Sequence, residues 1–147
     1  MDGSGFTLVE LLAVLLLFSI VCAVAVPGVN AVLTGAELNA AIRELVTDIR
    51  FAQQMAMGEG RIYRITFNKY MNLYRVGYTS HPVQVTVKQV VLPGGLTLVG
   101  TSFKNDTLSF NVIGSPSAAG TINLQDKRGR EIRVTVLLAT GRVRVYR

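Results

Sequence analysis

The spacing of apolar residues divides the chain into three stretches of different period. Residues 6–26 read FTLVELLAVLLLFSIVCAVAV, an apolar run in which only Thr7, Glu10 and Ser19 are polar. As a helix rising ~1.5 Å per residue, it spans about 31 Å, the thickness of a bilayer core. From residue 29 the run narrows to a stripe. Leu38, Ile42, Leu45, Ile49, Ala52 and Ala56 alternate in spacings of four and three, which predicts one buried face of a helix over 29–57 that Gly58 and Gly60 stop. Arg43, Glu44, Thr47, Asp48 and Arg50 mostly fall on the other faces.

After Gly60 the period drops to two. Arg61–Phe67, Leu73–Tyr78, Val83–Leu92, Leu96–Val99, Thr107–Val112, Thr121–Gln125, Arg130–Leu138 and Arg142–Tyr146 read as strands. Turn chemistry separates them, as in Asn68-Lys69, His81-Pro82, Pro93-Gly94-Gly95, Gly114-Ser115-Pro116 and Lys127-Arg128-Gly129. The expected fold class is α+β: one long N-terminal helix, membrane-spanning in its first half, packed on an antiparallel β-sheet domain.

Composition narrows the chemistry. The 147 residues are half hydrophobic and 16% charged, as in one folded domain with a small appendage rather than a disordered tail. The net charge of +6 is unevenly placed. Residues 6–60 carry −3, whereas 61–147 carry thirteen basic side chains against Asp106, Asp126 and Glu131, or +10. Such one-sidedness suits a polyanionic partner or an anionic surface. The lone Cys22 excludes an intrachain disulfide, and one His without a second Cys removes the usual zinc arrangements, so neither metal nor cofactor is expected. His81 sits in a Thr-Ser-His-Pro turn and reads as a solvated loop residue. Ser115 and Ser117 lack a nucleophile elbow, and no acid pair can be argued. The chain does not read as an enzyme.

Three readings compete for the first thirty residues. Ala23-Val24-Ala25 offers the cleavage site of a secretory signal peptide, but MDGSG has no Lys or Arg and the run contains a carboxylate. A plain single-span anchor leaves Glu10 unexplained, since a carboxylate within a span costs roughly 2.5–3.5 kcal/mol. Lipidation at Cys22 is disfavoured by Val21, and Cys22 reads as a small buried apolar side chain.

The third reading rests on Gly5-Phe6-Thr7-Leu8-Val9-Glu10-Leu11-Leu12. This resembles the prepilin processing signature of type IV pilins and of the pseudopilins of type II secretion. The resemblance implies cleavage by a prepilin peptidase between Gly5 and Phe6, N-methylation of Phe6, and Glu10 as the fifth residue of the mature chain. A new amine on Phe6, neutralised by Glu10 of a neighbouring subunit, suits an apolar filament core where an unpaired charge is expensive. Pro27 fits the proline that such helices carry near the end of the apolar segment. The implied organisation is a leader at 1–5, a transmembrane and filament-core helix at 6–28, an amphipathic helix at 29–59 and a β-rich domain at 60–147. Partners would be other pilins, the prepilin peptidase and the bacterial inner membrane, with the globular domain extracytoplasmic.

The second half narrows the resemblance. Thr107-Leu108-Ser109-Phe110-Asn111, Gly114-Ser115-Pro116, Gly120-Thr121-Ile122-Asn123-Leu124 and Gly141-Arg142-Val143-Arg144 are similar to the GspH/FimT branch of minor pilins and pseudopilins. FimT-like proteins use a C-terminal GRxR motif to bind DNA in natural transformation, which implies a role for Gly141, Arg142 and Arg144. Seven basic residues crowd into 127–147. Period two places Ile132, Val134, Val136 and Leu138 on one face, with Arg142, Arg144 and Tyr146 projecting together from the face opposite Val143 and Val145. Two guanidiniums roughly 7 Å apart suit consecutive phosphates, and Gly141 lets backbone approach closely. Lys127, Arg128 and Arg130, in a nearby turn, extend the expected patch. Binding of this kind is to double-stranded DNA, independent of sequence and salt-sensitive. The same motif also reads as a charged edge strand that blocks aggregation. Three functions therefore stand: a minor pilin of a type IV pilus or competence machine that captures DNA, an H-type minor pseudopilin of type II secretion, and an anchored binding domain that never polymerises.

Overall fold

A computed structural model describes residues 7–80, 83–138 and 141–147, with the side chains of 24–34 outside the description. Helix α1 covers Leu8–Glu59. It starts where the Thr7 hydroxyl accepts the Glu10 backbone N–H at 3.3 Å, a side-chain N-cap. It stops at Gly60, whose φ of +62° lets Arg61 N–H reach back to the Ala56 carbonyl. The strands that follow are β1 (Tyr63–Asn68), β2 (Leu73–Ser80), β3 (Val83–Val91), β4 (Leu96–Thr101), β5 (Thr107–Phe110), β6 (Gly120–Asp126), β7 (Glu131–Val136) and β8 (Val143–Tyr146). They form two antiparallel four-stranded sheets, ordered β3-β2-β1-β5 and β4-β6-β7-β8.

The chain divides into two compact units, Met1–Ala36 and Glu37–Arg147. In the first, every side chain from Thr7 to Val21 is exposed, most of them large and apolar. The expected span at 6–26 includes Phe6 and the side chains of 24–26, which lie outside the described residues. Among the described residues no helix is long and apolar enough to cross a membrane. Pro27 falls within α1, with its side chain outside the description. His81 also lies outside it.

In the second unit the predicted stripe is the core. Exposure falls from 9% at Leu38 to 0% at Ile49, Ala52 and Ala56. The stripe joins one cluster with Tyr63, Ile65, Phe110, Ile122, Val134 and Val136 from both sheets. Each fully buried Leu or Ile contributes about 1.5–3 kcal/mol relative to exposure.

Four local readings are corrected. Asp48 is not on a solvent face: it is 4% exposed, accepting the Tyr74 hydroxyl at 2.7 Å and the Lys88 ammonium at 2.8 Å. Burial, then this hydrogen bond and the charges of Asp48 and Glu44, push the Tyr74 phenol well above its ordinary range. The fifth strand ends at Phe110, because Asn111 Oδ1 folds back to accept the N–H groups of Ile113 and Ser115. β7 ends at Val136, which leaves Leu138 exposed rather than in line with Ile132, Val134 and Val136. β8 begins at Val143, so Arg142 belongs to the turn before it.

One polar contact ties the sheets together. Asn72, between β1 and β2 at φ +51°, donates to the Leu96 carbonyl and accepts the Leu98 N–H, both at 2.8 Å, on β4 of the other sheet.

Candidate nucleic-acid interface and assembly segment

The assembly segment is described only from Thr7 onward. Gly5 and Phe6 lie outside the described residues. Glu10 sits exposed in the first turn of α1, where a carboxylate favours the helix dipole.

The basic end is built by the β7–β8 turn. Gly141 donates its N–H to the Leu137 carbonyl at 2.9 Å, and Leu137 donates to the Arg142 carbonyl at 3.0 Å. Gly141 has φ +63° and is buried, and a Cβ there would run into the Gln53 carboxamide of α1. Gln53 is itself held by its Nε2 donating to the Gly114 carbonyl at 2.8 Å. Gly141 is thus required by the turn and by packing on α1.

Arg142, Arg144 and Tyr146 are all exposed, but they do not form one row. Arg142 lines an open groove of about 870 Å³ with Arg50, Gln53, Met57, Leu138 and Val143. Arg144 lies within β8 opposite Thr135, and Tyr146 opposite Arg133. Arg147 leaves the strand to donate to Asn39 Oδ1 at 2.7 Å.

The turn at 127–130 stands away from Arg142. Leu137, the partner of Arg142, stands seven positions along the chain from Arg130. At ~3.3 Å per residue the two sites lie about 23 Å apart, at opposite ends of the hairpin. Arg130 is also engaged, its Nε 2.7 Å from Asp126 Oδ2. Asp126 Oδ1 accepts the backbone N–H groups of Arg128 and Arg130 at 2.8 and 2.9 Å. Burial alone would raise the Asp126 carboxyl. The hydrogen bonds from Arg130 and Arg128 and the Arg130 charge outweigh it and hold the group below the ordinary carboxylate range. Arg130 therefore anchors a turn, whereas Lys127 and Arg128 remain exposed.

Sequence reasoning missed Arg50, and counted Arg133 in the basic end without assigning it to the site. Helical period placed Arg50 off the apolar stripe, and alternation placed Arg133 opposite Ile132 and Val134. Neither signal says which cations they would join.

The comparisons with known proteins bear on this arrangement. The family described as Type II transport protein GspH matches residues 41–140, and the Prokaryotic N-terminal methylation motif matches residues 2–26. The chain belongs to the GspH family. This GspH-family chain is 32% identical over 146 residues to Competence protein ComGD of Bacillus subtilis (strain 168), covering 99% of this chain and 95% of that protein. Its fold is that of the minor pseudopilin EpsH from the Type 2 Secretion System of Vibrio cholerae, with TM-score 0.62 and 15% identity over 75% of this chain and 96% of that one. It is also that of the type IV minor pilin FimU of Pseudomonas aeruginosa (strain PAO1), with TM-score 0.62 and 17% identity over 76% and 90%. The expected α+β pilin-like class and the GspH/FimT-like resemblance are both shown. The methylation motif covers Gly5, Phe6 and Glu10 and, with the family, marks a membrane-anchored pilin-like component. Gly141, Arg142 and Arg144 follow the 41–140 match, so the family assignment does not rest on them.

Proposed function

We propose that this GspH-family chain is a minor pilin-like subunit of a competence type IV pilus, which assembles through its N-terminal helix and binds double-stranded DNA through its basic C-terminal strand. Similarity to Competence protein ComGD along 99% of the chain carries the competence reading. In this reading the prepilin peptidase cleaves between Gly5 and Phe6, and the helix crosses the inner membrane once, leaving the sheet domain extracytoplasmic. On assembly the exposed apolar surface of α1 is covered by other pilins, with Glu10 pairing to a neighbour's Phe6 amine. Pro27 gives the helix a point of adjustment. The subunit acts structurally, not as an enzyme. The H-type pseudopilin of type II secretion is the second reading, favoured by the GspH family description itself.

Mass spectrometry of the mature protein tests processing, the expected N-terminus being methylated Phe6. A chain that keeps Met1, or one that begins at Val26, overturns the pilin reading. A mobility-shift assay with the full chain in detergent micelles tests the DNA reading. Arg142→Ala with Arg144→Ala is expected to abolish the shift at low salt. Binding unchanged by the pair rejects this site, and no binding by the parent rejects the activity.

A further inference from the structure

The register of the second sheet brings together residues that no motif links. β7 pairs with β6 so that Thr135 faces Thr121, and with β8 so that Arg133 faces Tyr146 and Thr135 faces Arg144. Thr121, Arg133, Thr135 and Tyr146 line one cavity of about 220 Å³ on the outer face of that sheet. At ~30 Å³ per water this holds roughly seven waters, room for one tetrahedral anion that keeps part of its hydration.

The lining has the chemistry of an anion site. No carboxylate lines the cavity. The Arg133 side chain is exposed and makes no ion pair or hydrogen bond among the described residues, Glu131 two positions along its own strand included. The Thr121 and Thr135 hydroxyls lie 3.3 Å apart, so one donates to the other and the second proton stays available. Both threonines are half-buried and β-branched, which holds the pair in place. A fork of N–H donors beside a fixed hydroxyl donor matches two oxygens of one phosphate. The exposed Tyr146 adds a phenol hydroxyl donor beside it. Arg133 is diagonal to Arg144 across the β7–β8 pair, a separation of roughly 7–8 Å, so the two cations can hold neighbouring phosphates of one strand.

We infer that Arg133, with the Thr121–Thr135 hydroxyl pair and Tyr146, forms a second phosphodiester subsite for nucleic acid, beside Arg144. This rests on the DNA reading and adds to it a track across the sheet face.

The test measures binding of the full chain in detergent micelles to a labelled random-sequence duplex by fluorescence anisotropy, across a salt series. Arg133→Gln is expected to weaken binding about tenfold and to make the slope of log affinity against log salt shallower by about one, the signature of one lost phosphate contact. Thr121→Val with Thr135→Val, which keeps shape and removes both hydroxyls, is expected to weaken binding several-fold with the slope unchanged. An unchanged thermal melt for Arg133→Gln shows that the effect is not unfolding. If Arg142→Ala with Arg144→Ala abolishes binding while Arg133→Gln changes neither affinity nor slope, the subsite falls and the DNA reading stands. If the parent chain binds no duplex, both fall.

Discussion

The two parts of α1 are made of similar residues put to opposite uses. Between Thr7 and Val21 apolar side chains surround the helix and all are exposed. Between Leu38 and Ala56 they form one stripe, buried under two sheets of the same chain. A stripe is satisfied by one internal partner. An all-round apolar surface needs a surrounding one, a bilayer or a bundle of like helices. The difference separates what the chain folds from what it offers for assembly.

The largest effect should come from deleting matched leucines in the two parts. Leu45→Ala is expected to lower the unfolding free energy of the sheet domain by about 3 kcal/mol. Leu15→Ala should change it by less than about 0.5 kcal/mol. Denaturant titration of the full chain in detergent, read by fluorescence of the buried tyrosines, compares them, and equal losses would erase the distinction.

A smaller effect sharpens the unity of the second part. Asn72→Ala leaves the Leu98 N–H and the Leu96 carbonyl without their side-chain partner, so a loss of about 2 kcal/mol is expected. Hydrogen exchange should show both sheets loosened together. Loosening of β1 and β2 with β4 untouched would show that the two sheets open independently.

The smallest effect is pH-dependent. The folded Asp126 carboxyl titrates below its ordinary value of 3.8, so its contribution is fully present above that value and is lost as pH falls through the folded pKa. Asp126→Asn should therefore flatten the acid limb of the melting-temperature profile of the sheet domain. A profile identical to the parent's would remove Asp126 from the account. Lys88 behaves in the opposite sense. Burial lowers it, but its hydrogen bonds to Asp48 and Glu44 prevail and raise it, so its contribution persists below 10.5 and fades as pH rises through the folded pKa.

Much of the fold was legible because period is a local property. Spacings of three and four named the buried stripe residue by residue, and alternation found the eight strands seen among the described residues, with ends shifted by a few positions. The shifted ends share a cause. Asn111, Asp126 and Gly141 end or start strands through side-chain hydrogen bonds or positive φ that period does not record. The candidate site was legible only in its motif. Gly141-Arg142-Val143-Arg144 marked the right hairpin but suggested one row of cations. The structure divides it between a groove shared with Arg50 and a sheet face shared with Arg133.

The sequence by itself determined the elements, the class of fold and the N-terminal signature at 5–12, since each depends on residues near in the chain. Only the tertiary structure decided which distant residues meet. Asp48 is buried because Tyr74 and Lys88 arrive from β2 and β3 to satisfy it. Arg130 is held in its turn because Asp126, at the end of β6, takes its guanidinium and its backbone N–H. Arg133 meets Tyr146 because strand register, fixed by packing Ile132 and Val134 inward, decides what stands opposite on the outer face.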